Sequence, residues 1–217
     1  MSEVNPIDCI FFWQGGVVTE DLAKLLSYAL DQPYAEADLF RSNPDLRTMK
    51  EELAIGAISF DEFCNSLSEI SKTNLTPLEV QNLISKKATI DPDLIAVAKE
   101  FGDQYDLRII SDFPPELQKT VIENNDLKAI FPPDKSILCS DINLTQLTPD
   151  IFFHSTNISR HPMENCILVD SNSARAVAAV RSGLSSIIYL DVPRFRRELV
   201  LREMLPPSQI DYQPKIL

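Results

Sequence analysis

Glycine is scarce, with five residues in 217, and no apolar run approaches the roughly 18 residues that span a bilayer. The first lack excludes collagen-like and glycine-rich architectures, and the second argues against a membrane-spanning helix. Basic residues are outnumbered, 20 Lys and Arg against 32 Asp and Glu, which leaves a formal charge of -12. Binding to a phosphate backbone relies on Lys and Arg to neutralise it, so this balance argues against nucleic acid as a partner. Only four cysteines are present (Cys9, Cys64, Cys139 and Cys166), far apart and without a C-x-x-C pair. They read as buried thiols in a reducing compartment rather than a disulfide or zinc framework. His154 and His161 have no partners at metal-ligand spacing in the sequence. Residues 1–13 contain no basic region followed by a long apolar stretch, so no signal peptide is expected. What remains is ordinary globular material, 44% hydrophobic and 24% charged. The length suits one core with a substantial insertion, or two small domains. The expectation is a soluble, cytoplasmic, acidic protein.

The run Ile7 to Trp13 is short, aromatic and β-branched, and Gly15-Gly16 ends it, so it predicts a buried strand closed by a tight turn. Thr19 is placed as an N-cap, with Leu22, Leu25, Leu26, Ala29 and Leu30 on one helical face. From about Tyr34 to Lys87 the pattern is helical. Ser59 with Glu62 and Thr76 with Glu79 form capping boxes ahead of apolar periodic segments. After Asp91-Pro92 strands and helices alternate. The strands are placed at Leu107 to Ser111, Ser136 to Cys139, Cys166 to Asp170 and Ser186 to Leu190. A helix opens at Thr148-Pro149, another runs from Ser173 to Ser182, and an amphipathic one lies within Pro193 to Leu205. Continuous apolar strands alternating with helices imply an α/β fold, a Rossmann-like parallel sheet covered on both faces. The core is assigned to 1–18 and 91–217, interrupted by an all-helical insertion over 19–90. Ligands of such sheets bind where the strands end, which draws attention to residues 13–16, 111–112, 140–141 and 170–171.

Those strand ends carry a resemblance. Phe11-Phe12-Trp13-Gln14-Gly15-Gly16-Val17-Val18, Ile109-Ile110-Ser111-Asp112, Thr148-Pro149-Asp150-Ile151-Phe152 and Ile167-Leu168-Val169-Asp170-Ser171-Asn172 fall in the order of the four motifs of one family. Gly56 to Phe63 matches its insertion segment "G-x-I-S-x-x-E-F". The chain resembles the haloacid dehalogenase-like (HAD) hydrolases of the helical-cap subfamily, along nearly its whole length. The resemblance implies phosphoryl or haloacid transfer through a covalent aspartyl intermediate, assisted by Mg²⁺, a hydroxyl and a lysine.

Matched residue by residue, the family's catalytic set is degenerate. Trp13 stands at the nucleophile, Gly15 at the general acid/base, Thr148 at the lysine and Ser171 at the second metal acid. Ser111 keeps the hydroxyl and Asp170 the first metal acid. Asp8 lies at the entry of the first strand, roughly 15 Å from its exit at ~3.3 Å per residue, so it cannot replace the nucleophile. Indole neither attacks phosphorus nor binds Mg²⁺, and loss of a cooperating nucleophile set costs on the order of 10⁶ in kcat. The expectation is loss of the family reaction and a function in binding a protein or small-molecule partner. No catalytic residue and no cofactor are expected. Mg²⁺ would be needed only if activity remained, with Asp170 the weak candidate to hold it. Two alternatives are a hydrolase or phosphatase with altered chemistry, using Asp170, Ser111, Asp112 or Asp141, and a sensor of phosphate ligands without turnover. Trp13 reads as a core aromatic or a ligand-stacking ring, and Asp170 as a loop-organising acceptor or a cation ligand. Cys139 lies near the strand-end edge, where a reactive thiol would be useful. Arg194, Arg196, Arg197 and Arg202 on the last helix read as a docked, paired face or a contact surface.

Overall fold

The apolar run at the start of the chain forms strand β1 (Cys9–Trp13), buried along its whole length. The computed structural model describes residues 6–29, 40, 42–124, 127–144 and 148–206. The helix position expected at Leu30 and the helical start near Tyr34 lie outside the described residues. β1 is the middle of a five-stranded parallel sheet with β2 (Asp106–Ser111), β3 (Ser136–Leu138), β4 (Cys166–Asp170) and β5 (Ser185–Ile188), in the order β3-β2-β1-β4-β5. Parallel neighbours require crossovers, and each crossover here carries helix. Between β1 and β2 run α1 (Leu22–Ala29), α2 (Pro44–Ala54), α3 (Phe60–Ser71), α4 (Pro77–Lys87) and α5 (Pro92–Phe101). α6 (Pro115–Asn124) joins β2 to β3, and α7 (Cys139–Ile142) and α8 (Asp150–Ser159) join β3 to β4. α9 (Ser173–Arg181) joins β4 to β5, and α10 (Val192–Leu201) follows.

Side chains alternate across the sheet with a period of two and so sort into two cores. Ile10, Phe12, Ile109 and Val169 pack towards α5 and α10 through Leu94, Phe101, Phe195 and Leu199. Phe11, Trp13, Ile110 and Leu168 pack towards α8 and α9 through Ile151, Phe152 and Ala179. A third cluster gathers Leu25, Phe63, Leu67 and Ile84 from the inserted helices with Phe113, Leu117 and Val121 from the segment after β2.

The two capping boxes form as the sequence predicts. Ser59 and Glu62 exchange bonds at the start of α3, and Thr76 and Glu79 do so at the start of α4. Each thereby satisfies two backbone donors that a helix start leaves open. Elsewhere the expected boundaries shift. Asp21, not Thr19, accepts from the first turn of α1, through Lys24 N at 3.0 Å, while the Thr19 hydroxyl donates to the Glu20 carbonyl. The third strand stops at Leu138 because Cys139 already begins α7. The last strand is Ser185–Ile188 rather than Ser186 to Leu190. α8 begins at Asp150 with Pro149 in the capping position and no side-chain cap bond, so Thr148 is not its cap. α10 starts at Val192, capped by Asp191, and its arginines reach acids and carbonyls of the same chain. Arg194 pairs with Asp191 at 3.5 Å, Arg196 with Glu100 at 3.3 Å, and Arg202 donates to the Ser186 carbonyl at 3.0 Å. No helix among the described residues is long and apolar enough to cross a membrane.

Candidate functional site

The parallel sheet brings the expected residues to its carboxyl edge: Trp13 closes β1, Ser111 closes β2 and Asp170 closes β4. Beyond Trp13 the chain reverses at once. The Gln14 carbonyl accepts from Val17 N, Val18 N and Thr19 N at 3.3, 3.0 and 3.1 Å. Gly16 sits at φ +86°, and a Cβ placed there would lie 2.2 Å from Ser171 Oγ. Glycine is therefore required twice, by the backbone and by the loop that follows β4.

Asp170 is wholly buried and its carboxylate is fully engaged. Arg175 Nε donates to Oδ2 at 2.7 Å and Arg175 Nη2 to Oδ1 at 2.8 Å, while Asn172 N also reaches Oδ1 at 2.8 Å. The bidentate pair fixes the guanidinium, whose Cζ lies over the buried Trp13 ring, 4.3 Å from its centre. Asn172 caps α9 and accepts from Ala174 N and Arg175 N, so the helix start holds Arg175 in position for this stack. Arg175 is the residue that sequence reasoning missed. Its signal was faint: one arginine among the small residues Ala174, Ala176 and Ala179, a turn and a half after an acid.

Ser111 is also buried and committed. Its hydroxyl donates to Gln118 Oε1 at 3.2 Å and accepts from Phe113 N at 3.0 Å, holding the loop that leads to α6. Asp112 follows, 8% exposed, and burial pushes its carboxyl above the usual range, with Asp21 adding to the rise and Arg175 and Lys50 opposing it. Raised affinity for a proton in the folded state means that Asp112 subtracts stability as pH rises through its folded value. Asp112→Asn removes that penalty, so the melting temperature of this variant relative to wild type should climb between pH 4 and pH 8. Thermal melts across that range check it.

Burial, reinforced by the nearby Asp112, raises the Cys139 thiol well above its ordinary value, which keeps it protonated. Cys64 is pushed up to about 12, chiefly by burial. Trp13 Nε1 and both polar atoms of the Gln14 amide are buried without a hydrogen-bond partner among the described residues. A cavity of about 370 Å³ opens beside β3, lined by Pro115, Gln118, Ile122, Phe131, Leu138 and Asp141 among others. None of Trp13, Ser111, Thr148 or Asp170 lines it.

No family model matches the chain, and no curated protein matches it in sequence. Solved structures do. A HAD-like family hydrolase from Porphyromonas gingivalis superposes with a TM-score of 0.67 at 19% identity, over 89% of this chain and 98% of that one. A wild-type HAD family enzyme from Bacteroides thetaiotaomicron, in complex with magnesium and inorganic phosphate, gives 0.66 at 14% identity, over 83% and 93%. The L-2-haloacid dehalogenase of Xanthobacter autotrophicus with chloropropionic acid covalently bound gives 0.63 at 15%, over 94% and 86%. This chain has the HAD-like fold. Within that HAD-like frame the residues present do not fit Mg²⁺. Magnesium demands near-octahedral oxygen ligands and is held through carboxylates. Trp13, matched to the nucleophile only by resemblance, offers indole, Ser171 offers a hydroxyl, and both oxygens of Asp170 are taken by a guanidinium that carries the cationic charge itself.

Proposed function

We propose that this chain is a HAD-like pseudoenzyme, one that has lost aspartyl-phosphate hydrolysis and acts in the cytoplasm by binding a protein or small-molecule partner. The observation that carries the reading is the buried Trp13–Arg175–Asp170 stack. An attacking carboxylate is absent, and the surviving acid is neutralised internally by an arginine rather than left for a metal. The guanidinium sits over the indole where the family's mechanism calls for charged oxygens around a phosphoryl group. The helices inserted between β1 and β2 correspond to the family's cap. Exposed apolar side chains at Val177, Val180, Ile188, Leu190 and Leu201, on or beside α9, β5 and α10, offer contact area for a partner. Paired arginines on α10 make that helix less suited to the role, since its charges are already engaged within the chain.

The two other readings have less support. Altered hydrolysis would draw on Asp112 or Asp141, which follow β2 and β3. A phosphate sensor would need the Ser111 hydroxyl, which Gln118 and Phe113 already use. Incubation with an aryl phosphate and Mg²⁺ should release no phosphate above the rate of buffer alone. Turnover that disappears in Asp170→Asn would overturn the proposal, and turnover that disappears in Asp112→Asn would favour the altered hydrolase.

A further inference from the structure

β3 is an outer strand of the sheet, bonded only to β2, and the cavity of about 370 Å³ lies beside it. One side of the cavity is a single face of α6, running from Pro115 to Glu123 at spacings of three and four. Ser136 and Leu138, two apart on β3, line another side. One polar group of this wall is unsatisfied. Gln118 is 5% exposed, and its Oε1 accepts from the Ser111 hydroxyl at 3.2 Å. Its Nε2 is buried and has no hydrogen-bond partner among the described residues. We propose that the cavity binds an uncharged, largely apolar small molecule carrying a carbonyl oxygen, with Gln118 Nε2 donating to that oxygen.

The lining selects the ligand. Small-molecule sites are walled mainly by apolar side chains, with a few polar groups that fix orientation. Pro115, Ile122, Phe131, Pro133 and Leu138 supply the apolar wall here. The charged lining residues are Lys119 and Lys128 against Glu123 and Asp141, so their formal charges cancel. Such a lining exerts no net pull on an anion or a cation, which favours an uncharged occupant. A buried amide N–H without an acceptor costs the chain the desolvation of that donor, and a ligand oxygen that takes it up recovers the cost. A carbonyl is the fitting partner, because Nε2 can only donate. The donor is also held before any ligand arrives. Ser111 Oγ accepts from Phe113 N at 3.0 Å and donates to Gln118 Oε1, so the amide is tethered to the end of β2. A group fixed in advance leaves less ordering to be done on binding. None of Trp13, Thr148 and Asp170 lines the cavity, so the proposal stands apart from whether the vestigial cleft turns over substrate.

The test uses coumarin, an uncharged bicycle with one carbonyl, and 2H-chromene, the same bicycle without it. Titrated into the ¹⁵N-labelled full chain, coumarin should bind with a Kd below about 1 mM. The side-chain amide signals of Gln118 should move, together with backbone signals of α6 and β3. Chromene should bind about tenfold more weakly, the worth of one hydrogen bond to an otherwise unpaired donor. Gln118→Met, close in volume and without the donor, should abolish that preference. Coumarin-3-carboxylate should bind no tighter than coumarin. Should Gln118→Met fail to fold, the comparison of the two bicycles on wild type decides alone. Equal affinity of wild type for both, an unmoved Gln118 signal, or a preference that survives in Gln118→Met would overturn the site. Shifts centred on the exposed Val177, Val180 and Leu190 would do the same, and tighter binding of the carboxylate would overturn the uncharged class. So would absence of binding at about 1 mM, which would leave the Gln118 donor to ordered water.

Discussion

Arg175→Ala should lower the unfolding free energy by about 3–5 kcal/mol, the range for removing one partner of a buried ion pair. Asp170 has no exposed surface, and without the guanidinium only Asn172 N remains among its hydrogen-bond donors described here. The loss is chiefly the cost of a stranded carboxylate, not the worth of the pair, and a second substitution separates the two. Asp170→Asn in the Arg175→Ala background removes the charge while leaving an oxygen for Asn172 N, and should recover a large part of the lost stability. Arg175→Lys should recover less, because an ammonium cannot make the two parallel bonds or lie flat on the indole. Urea denaturation of the three variants measures this, and equal stability for the single and double variants would show that the charge is not what Arg175 answers.

Trp13→Ala should cost a comparable 3–5 kcal/mol through the cavity left by a fully buried ring. The face of the ring that meets Arg175 adds a desolvated cation–π contact, and the other neighbours in its cluster, Phe11, Ile110, Phe152 and Leu168, belong to rigid elements that close only partly over the gap. An apolar cavity of this kind takes up small aromatic molecules. Indole should therefore raise the melting temperature of Trp13→Ala and leave wild type unmoved. No rise would mean that the sheet and α8 collapse together instead of holding the shape of the ring.

Much of the fold was legible because its signals are local. β1, β2 and β4 are short apolar runs that end at the residues placed next to the motif positions, and Ser59-Glu62 and Thr76-Glu79 announce their helices by a spacing of three. The displaced boundaries have local causes as well. Thr19 and Asp21 are both good capping residues two positions apart, and only the turn at Gly16, whose N donates to the Thr19 carbonyl, decides between them. At the candidate site the resemblance implied which family groups are replaced. It did not show what replaces them, because the Arg175–Asp170 pair is recognisable only when α9 docks on the sheet.

The apolar cluster of the inserted helices is completed by Phe113, Leu117 and Val121, which belong to the segment following β2. Swinging these helices away as a rigid lid would strip water-shy surface from both sides at once, whereas lids that open readily meet their base across a wet, polar seam. The described helices between β1 and β2 and the segment after β2 are thus sealed to one another by a continuous dry contact.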